Sequence, residues 1–166
     1  MRTALIALGL FLAAGPALAQ TPTPAPDVTT NVAGDNLAKS TAWLAANAKQ
    51  PGVVTLPSGL QYKVTTSGAK TAPSPKEGDI IKVHYEGKLL DGTVFDSSFE
   101  RGRPMIAPLA GLVPAWQEAL PKMKVGDEWT LFVPPALGYG DREAGPIPAN
   151  SVMIFRVKLI DMMTAD

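Results

Sequence analysis

The chain has 166 residues, of which 15 are glycine and 16 proline, close to a fifth of all positions, where average usage is about 12 %. So many helix breakers exclude a helical bundle, while a hydrophobic fraction of 46 % excludes wholesale disorder. No cysteine is present, which excludes disulfides, thiolate metal sites and a cysteine nucleophile, and 15 basic against 15 acidic side chains disfavour a nucleic-acid partner.

In chain order, Arg2, an apolar run over residues 4–14 and the small-x-small triplet Ala17-Leu18-Ala19 have the three-part form of a secretory signal peptide over residues 1–19. A membrane span needs about 20 apolar residues, and Gly15, Pro16 and Gln20 cut this run short. No cysteine stands at the cleavage point for a lipid anchor. Removal of the segment takes only Arg2 among the charges, so one excess negative charge remains. Export without cysteine fits a bacterial periplasm, and the mature protein is expected to be soluble there.

Residues 20–33 read as a Pro/Thr-rich linker, because Thr21-Pro22-Thr23-Pro24-Ala25-Pro26 favours an extended polyproline conformation. Residues 34–52 read as a short helical extension with Asp35 as N-cap and Pro51-Gly52 as the stop. Leu37, Trp43, Leu44 and Ala48 are expected to share its apolar face. So short a helix is marginal alone, so it must dock on something.

Residues 53–166 read as the main domain. Leu60, Tyr62 and Val64 predict an edge strand after the Pro57-Ser58-Gly59 turn. Ile81, Val83 and Tyr85 share one strand face, and Asp91-Gly92 marks a hairpin from which Thr93-Val94-Phe95 returns. Pro114 opens a short helix that carries Val113, Trp116 and Leu120 on one side and stops before Pro121. Trp129, Leu131 and Val133 predict a further strand face, and Met153, Phe155, Val157 and Leu159 another, opposite Arg156 and Lys158. The expected fold class is α+β, a twisted and mostly antiparallel sheet wrapped around one short helix.

Reactive chemistry is scarce. The single histidine, His84, sits within a strand without a nucleophile elbow, so a structural role is expected, and one histidine without cysteine gives no metal site. No phosphate-cradling glycine loop followed by lysine is present, and no cofactor is implied. What stands out is a set of aromatics and one acid near strand ends and turns: Tyr85, Phe95, Asp96, Trp116, Tyr139 and Phe155. A carboxylate directly after a core aromatic is costly unless it is hydrogen-bonded.

These residues carry a resemblance. Val83-His84-Tyr85-Glu86-Gly87, Leu90-Asp91-Gly92-Thr93-Val94-Phe95-Asp96-Ser97-Ser98, Leu112-Val113-Pro114-Ala115-Trp116, Met123-Lys124-Val125-Gly126, Gly138-Tyr139-Gly140 and Ile147-Pro148-Ala149-Asn150-Ser151 follow in order, with Phe155 in the last strand. Over about residues 53–163 the chain resembles the FKBP-type peptidyl-prolyl cis-trans isomerases, which bind the macrolides tacrolimus and rapamycin. Leu44-Ala45-Ala46-Asn47-Ala48-Lys49 and Pro57-Ser58-Gly59-Leu60-Gln61-Tyr62 further resemble the bacterial branch with a helix before the isomerase domain. In that branch a longer helical region dimerises the protein; here only its end is present, which favours a monomer.

The resemblance implies an isomerase acting on proline-containing peptides and unfolded exported proteins, with no metal, cofactor or nucleic acid. It implies Trp116 as the pocket floor, with Tyr85, Phe95, Leu112, Val113 and Phe155 as walls. The Val113 N–H and the Tyr139 hydroxyl would hold carbonyls, Asp96 would sit at the rim, and Ile147 would cover the site from a loop over residues 141–149. Met105 stands where a wall aromatic is frequent, Ala107 where bacterial members have Phe, and Ala115 where glycine is common. These departures predict a looser pocket, and leave a non-catalytic peptide-binding chaperone as the alternative, with a structural dimer module as a third reading.

Overall fold

The computed structural model describes residues 28–165, so the expected signal peptide and the prolines of the expected linker lie outside the described residues. Helix α1 (Val28–Asn47) starts ahead of the expected boundary at Gly34. Seven strands follow: β1 (Val53–Thr55), β2 (Gln61–Thr66), β3 (Ile80–Lys88), β4 (Val94–Ser97), β5 (Met105–Pro108), β6 (Glu128–Val133) and β7 (Met153–Met163). Helix α2 (Pro114–Ala119) lies between β5 and β6, with Pro114 in its first turn, where the missing N–H costs nothing.

The strands form one sheet in the order β1-β2-β6-β7-β3-β4, with β5 pairing onto β3. All the strand pairings are antiparallel. Period-two alternation points one face of the sheet at α2. Ile81, Val83 and Tyr85 of β3, Trp129, Leu131 and Val133 of β6, and Met153, Phe155, Val157 and Leu159 of β7 are buried there with Ala115, Trp116 and Ala119 of α2. This is the α+β architecture expected.

Three expectations need correction. β2 is not an edge strand, because β1 covers it. Beyond Leu60 its burial also departs from the expected alternation: Tyr62 is half-buried against Trp129, but Gln61 is buried and Val64 exposed. Gln61 tolerates burial because its amide is bonded at both ends, donating to the Leu44 carbonyl (2.9 Å) and accepting from Asn47 Nδ2 (2.9 Å). Finally, the expected apolar face of α1 holds only in part, since Trp43 and Leu44 are half-buried but Leu37 and Ala48 are exposed. Polar residues share the inward side: Asn36, Ser40 and Asn47 lie with Trp43 at helical spacing. Trp43 meets the Phe132 ring at 5.7 Å, and the other three form hydrogen bonds to the main domain.

Candidate active site

The hairpin of β3 and β4 supplies the first wall. Gly92 adopts φ +90°, as its turn requires, and the Asp91 carboxylate accepts the Thr93 N–H at 2.9 Å. The returning strand brings Phe95 and Asp96 beside Tyr85. Ser98, fully buried, locks that register. Its Oγ accepts the Tyr85 N–H at 2.7 Å and lies 2.9 Å from His84 Nδ1, while its own N–H donates to the Tyr85 carbonyl at 2.8 Å. His84 also stacks on Phe99 at 4.8 Å. It is a strand residue with local partners.

Helix α2 supplies the floor. Trp116 is 3 % exposed. The preceding loop is tied to the helix by Gln117, whose Nε2 donates to the carbonyls of Leu112 (2.6 Å) and Ala110 (3.1 Å). Four rings then meet edge to face. Tyr85 contacts Trp116 at 5.3 Å, Trp116 contacts Phe155 at 5.4 Å, and Phe155 contacts Phe95 at 5.6 Å, with interplanar angles of 84°, 87° and 86°. The positive ring edges on negative faces add to the area buried. Gly87 makes this packing possible, because a Cβ there would lie 2.6 Å from the Phe95 ring and 2.8 Å from Phe155.

These elements enclose an open cleft of about 320 Å³. Tyr85, Phe95, Asp96, Trp116, Tyr139 and Phe155 line it together, as do Met105, Leu112, Val113 and Ile147. The ten residues selected from the sequence therefore converge on one cavity. Ala107, on the same side of β5 as Met105, is not among the lining residues. Ala144 and Pro146 do line it and were not foreseen. The 144–147 turn carrying them is closed by reciprocal backbone bonds of 2.9 and 3.0 Å, and buries Ile147. Tyr139 stands at the mouth, 45 % exposed. Among the described residues the Val113 N–H donates to no backbone carbonyl.

The cleft has one charged cluster, at its rim. Tyr85 donates its hydroxyl proton to Asp96, and Arg101 pairs with the other carboxylate oxygen. Arg101 Nη2 also donates to the Tyr85 hydroxyl at 3.0 Å, and its guanidinium lies 5.6 Å from the centre of the Tyr85 ring. Burial pushes the Asp96 carboxyl up, but the hydrogen bonds from Tyr85 and Arg101 outweigh it and hold the group below its ordinary value. Burial and the bond to Asp96 raise the Tyr85 phenol above its ordinary value. The result is a neutral phenol beside a fixed carboxylate. Arg101 was missed because it is one of two exposed arginines in Arg101-Gly102-Arg103. The signal was available: a half-buried acid after Phe95 needs a partner. No cluster that could hold a metal occurs among the described residues.

Sheet, short helix and cleft define a class, that of α+β proteins whose antiparallel sheet packs on one short helix and carries an aromatic cleft with a charged rim. The comparisons give the family. The profile of the FKBP-type peptidyl-prolyl cis-trans isomerases matches residues 71–160. That of the domain amino-terminal to the FKBP-type isomerase matches residues 19–64. The chain belongs to the FKBP-type peptidyl-prolyl cis-trans isomerase family. It is 49 % identical over 128 residues to the peptidyl-prolyl cis-trans isomerase Mip of Coxiella burnetii, covering 76 % of this chain and 55 % of that protein. It is 48 % identical over 126 residues to FkpA of Aeromonas hydrophila, with 76 % and 46 % covered. The chain thus spans about half the length of these curated relatives. The crystal structure of FkpA from Escherichia coli matches at a TM-score of 0.79 and 38 % identity, covering 84 % of this chain and 64 % of that one. A peptidyl-prolyl cis-trans isomerase from Pseudomonas syringae matches at 0.73 and 31 %, covering 86 % and 99 %.

Proposed function

We propose that the chain accelerates cis–trans isomerisation of X–Pro bonds in exported polypeptides, with the aromatic cleft as the site. The observation that carries this reading is the cleft itself: four rings in edge-to-face contact around a cavity of about 320 Å³, with a neutral phenol and a carboxylate at its rim.

An X–Pro bond prefers trans by only about 0.5–1 kcal/mol, yet its rotation barrier is about 18–20 kcal/mol because twisting breaks amide resonance. No covalent bond forms or breaks, so no nucleophile is needed. The twisted amide has lost its conjugation and is less polar across C–N. An apolar surface therefore disfavours it less than the planar forms, and tighter binding of the twisted state is catalysis. In this reading the proline ring rests on Trp116 between Tyr85, Phe95 and Phe155, and Leu112 and Met105 complete the walls. The Val113 N–H and the Tyr139 hydroxyl hold peptide carbonyls, Asp96 biases the rim electrostatically, and Ile147 covers the ring. The same surface would accept macrolides of the tacrolimus and rapamycin type.

Export rests on the sequence of residues 1–19, which would direct the protein to the periplasm; among the described residues no helix is long and apolar enough to cross a membrane. The domain reading that goes with it is a signal peptide over 1–19, a linker and helical extension before residue 53, and an isomerase domain over 53–166. A second reading, a peptide-binding chaperone without turnover and monomeric like the first, is favoured by the flexible Met105 in the wall. NMR exchange spectroscopy on an Ala-Leu-Pro-Phe peptide separates the two. Isomerisation faster than the uncatalysed rate at substoichiometric protein is the expected result. Peptide binding with an unchanged exchange rate leaves only the chaperone.

A further inference from the structure

The loop that covers the cleft has few apolar contacts of its own. Between Gly140 and Val152 only Ile147 and Val152 are buried, and Asp141, Arg142, Glu143, Gly145, Pro146 and Pro148 are exposed. Hydrogen bonds must set its shape, and several of them come from α1. Asn36 Nδ2 donates to the Ala149 carbonyl at 2.6 Å and to Ser151 Oγ at 3.1 Å. Ser40, 1 % exposed, donates its hydroxyl to the Asn150 carbonyl at 2.7 Å. In return Asn150 Nδ2 donates to the Ala33 carbonyl at 3.1 Å.

Asn150 is the hub of this clasp. Among the described residues it is the one non-glycine with positive φ, at +59°, a conformation asparagine tolerates better than most residues. Its own N–H donates to the Gly140 carbonyl at 2.8 Å, so it joins the two ends of the loop while holding α1. Ile147 lies three residues before it, and Tyr139 is the neighbour of Gly140. Both line the cleft.

We propose that α1 is the outer support of this loop, and that Asn36 and Ser40 are positioning residues that fix Ile147 over the cleft through Ala149, Asn150 and Ser151. The proposal rests on the reading of the cleft as the X–Pro site. Neither side chain touches the cavity; both act through the loop backbone. Because coupling is reciprocal, a peptide that holds Ile147 closed also holds α1 in place.

The test compares Asn36→Asp/Ser40→Ala with the wild type, and with Asn47→Ala, which removes one of the two bonds between the far end of α1 and Gln61 without touching the loop. In the clasp variant the expected result is a KM for the Ala-Leu-Pro-Phe peptide raised about fivefold with kcat within about twofold. Loss of folded protein would instead lower kcat at constant KM, and that result overturns the proposal, as does an equal rise of KM in Asn47→Ala. Amide hydrogen exchange at Ile147 and Asn150 gives a readout independent of turnover, expected to be faster only in the clasp variant. If the wild type does not isomerise the peptide, the functional reading fails, and this exchange measurement still decides the clasp. Unchanged loop exchange overturns it.

Discussion

Four aromatic rings build the cleft from Tyr85 to Phe95, whereas three α1 side chains, Asn36, Ser40 and Asn47, hold that helix on the main domain through hydrogen bonds. In the first region stabilisation comes from apolar area and shape, and every atom added is felt. In the second, apart from the Trp43–Phe132 contact, it comes from directed bonds, each of which contributes about 1 kcal/mol net. The cleft is therefore expected to fail cooperatively with the sheet, and the α1 attachment to fail locally. The helix is a weak former in its own right, since Thr29, Thr30, Val32 and Gly34 fill its first turns.

The sharpest way to break the cleft is to overfill it. Gly87→Ala places a methyl group 2.6 Å from the Phe95 ring and 2.8 Å from Phe155. Overpacking of this kind costs about 1–3 kcal/mol, read as a lowered urea midpoint for the whole domain. Phe95→Leu in the same chain should recover part of the loss, because the two positions share one space. An unchanged midpoint would mean that the rings yield freely, and the contrast with α1 would lose its basis.

The corresponding change at α1 is Gln61→Ala. It removes the bonds to the Leu44 carbonyl and to Asn47, at a local cost of about 1 kcal/mol for each bond. The expected signature is faster amide exchange across α1, with the urea midpoint of the sheet nearly unmoved. A midpoint shift as large as that of Gly87→Ala would show that helix and sheet unfold as one unit.

The same contrast explains what could be read from the sequence. Burial alternates with period two along β3, β6 and β7, so Ile81, Leu131 and Val157 announce the core by pattern alone. The cleft residues were legible because the family motifs place aromatics in a fixed order. Of the docking face of α1, Trp43 and Leu44 were legible but the polar part was not, since asparagine and serine look like solvent-facing residues until their partners are known. Gln61 was hidden for the same reason: a polar residue in an apolar pattern reads as exposed unless something satisfies it. β5 escaped because Met105–Pro108 is four residues long, ends in proline and has no polar alternation. Arg101 escaped because an ion-pair partner is defined by space, and sequence distance from Asp96 does not reveal it.

The smallest effect concerns the charged rim, and its pH dependence distinguishes the regions again. Asp96 is held below its ordinary value, so its contribution to stability is complete above about pH 4, the unfolded value, and is lost as pH falls through the lowered folded value. Tyr85 is raised, so its contribution is complete below about pH 10 and is lost as pH rises through the raised folded value. Stability from this cluster should be flat between those limits. Asp96→Asn is expected to cost less than about 1 kcal/mol at pH 7, because the carboxylate and Arg101 are 40 % and 41 % exposed. It should also remove the part of the acid-side decline that Asp96 supplies, measured by urea unfolding from pH 3 to 7. The bonds from Asn36, Ser40, Asn47 and Gln61 contain no titratable group, so amide exchange in α1, corrected for the intrinsic pH dependence of exchange, should report the same protection across that range in both proteins. A decline in α1 protection that disappears with Asp96→Asn would show that the rim charge reaches the helix, and the two regions would then have to be treated as one.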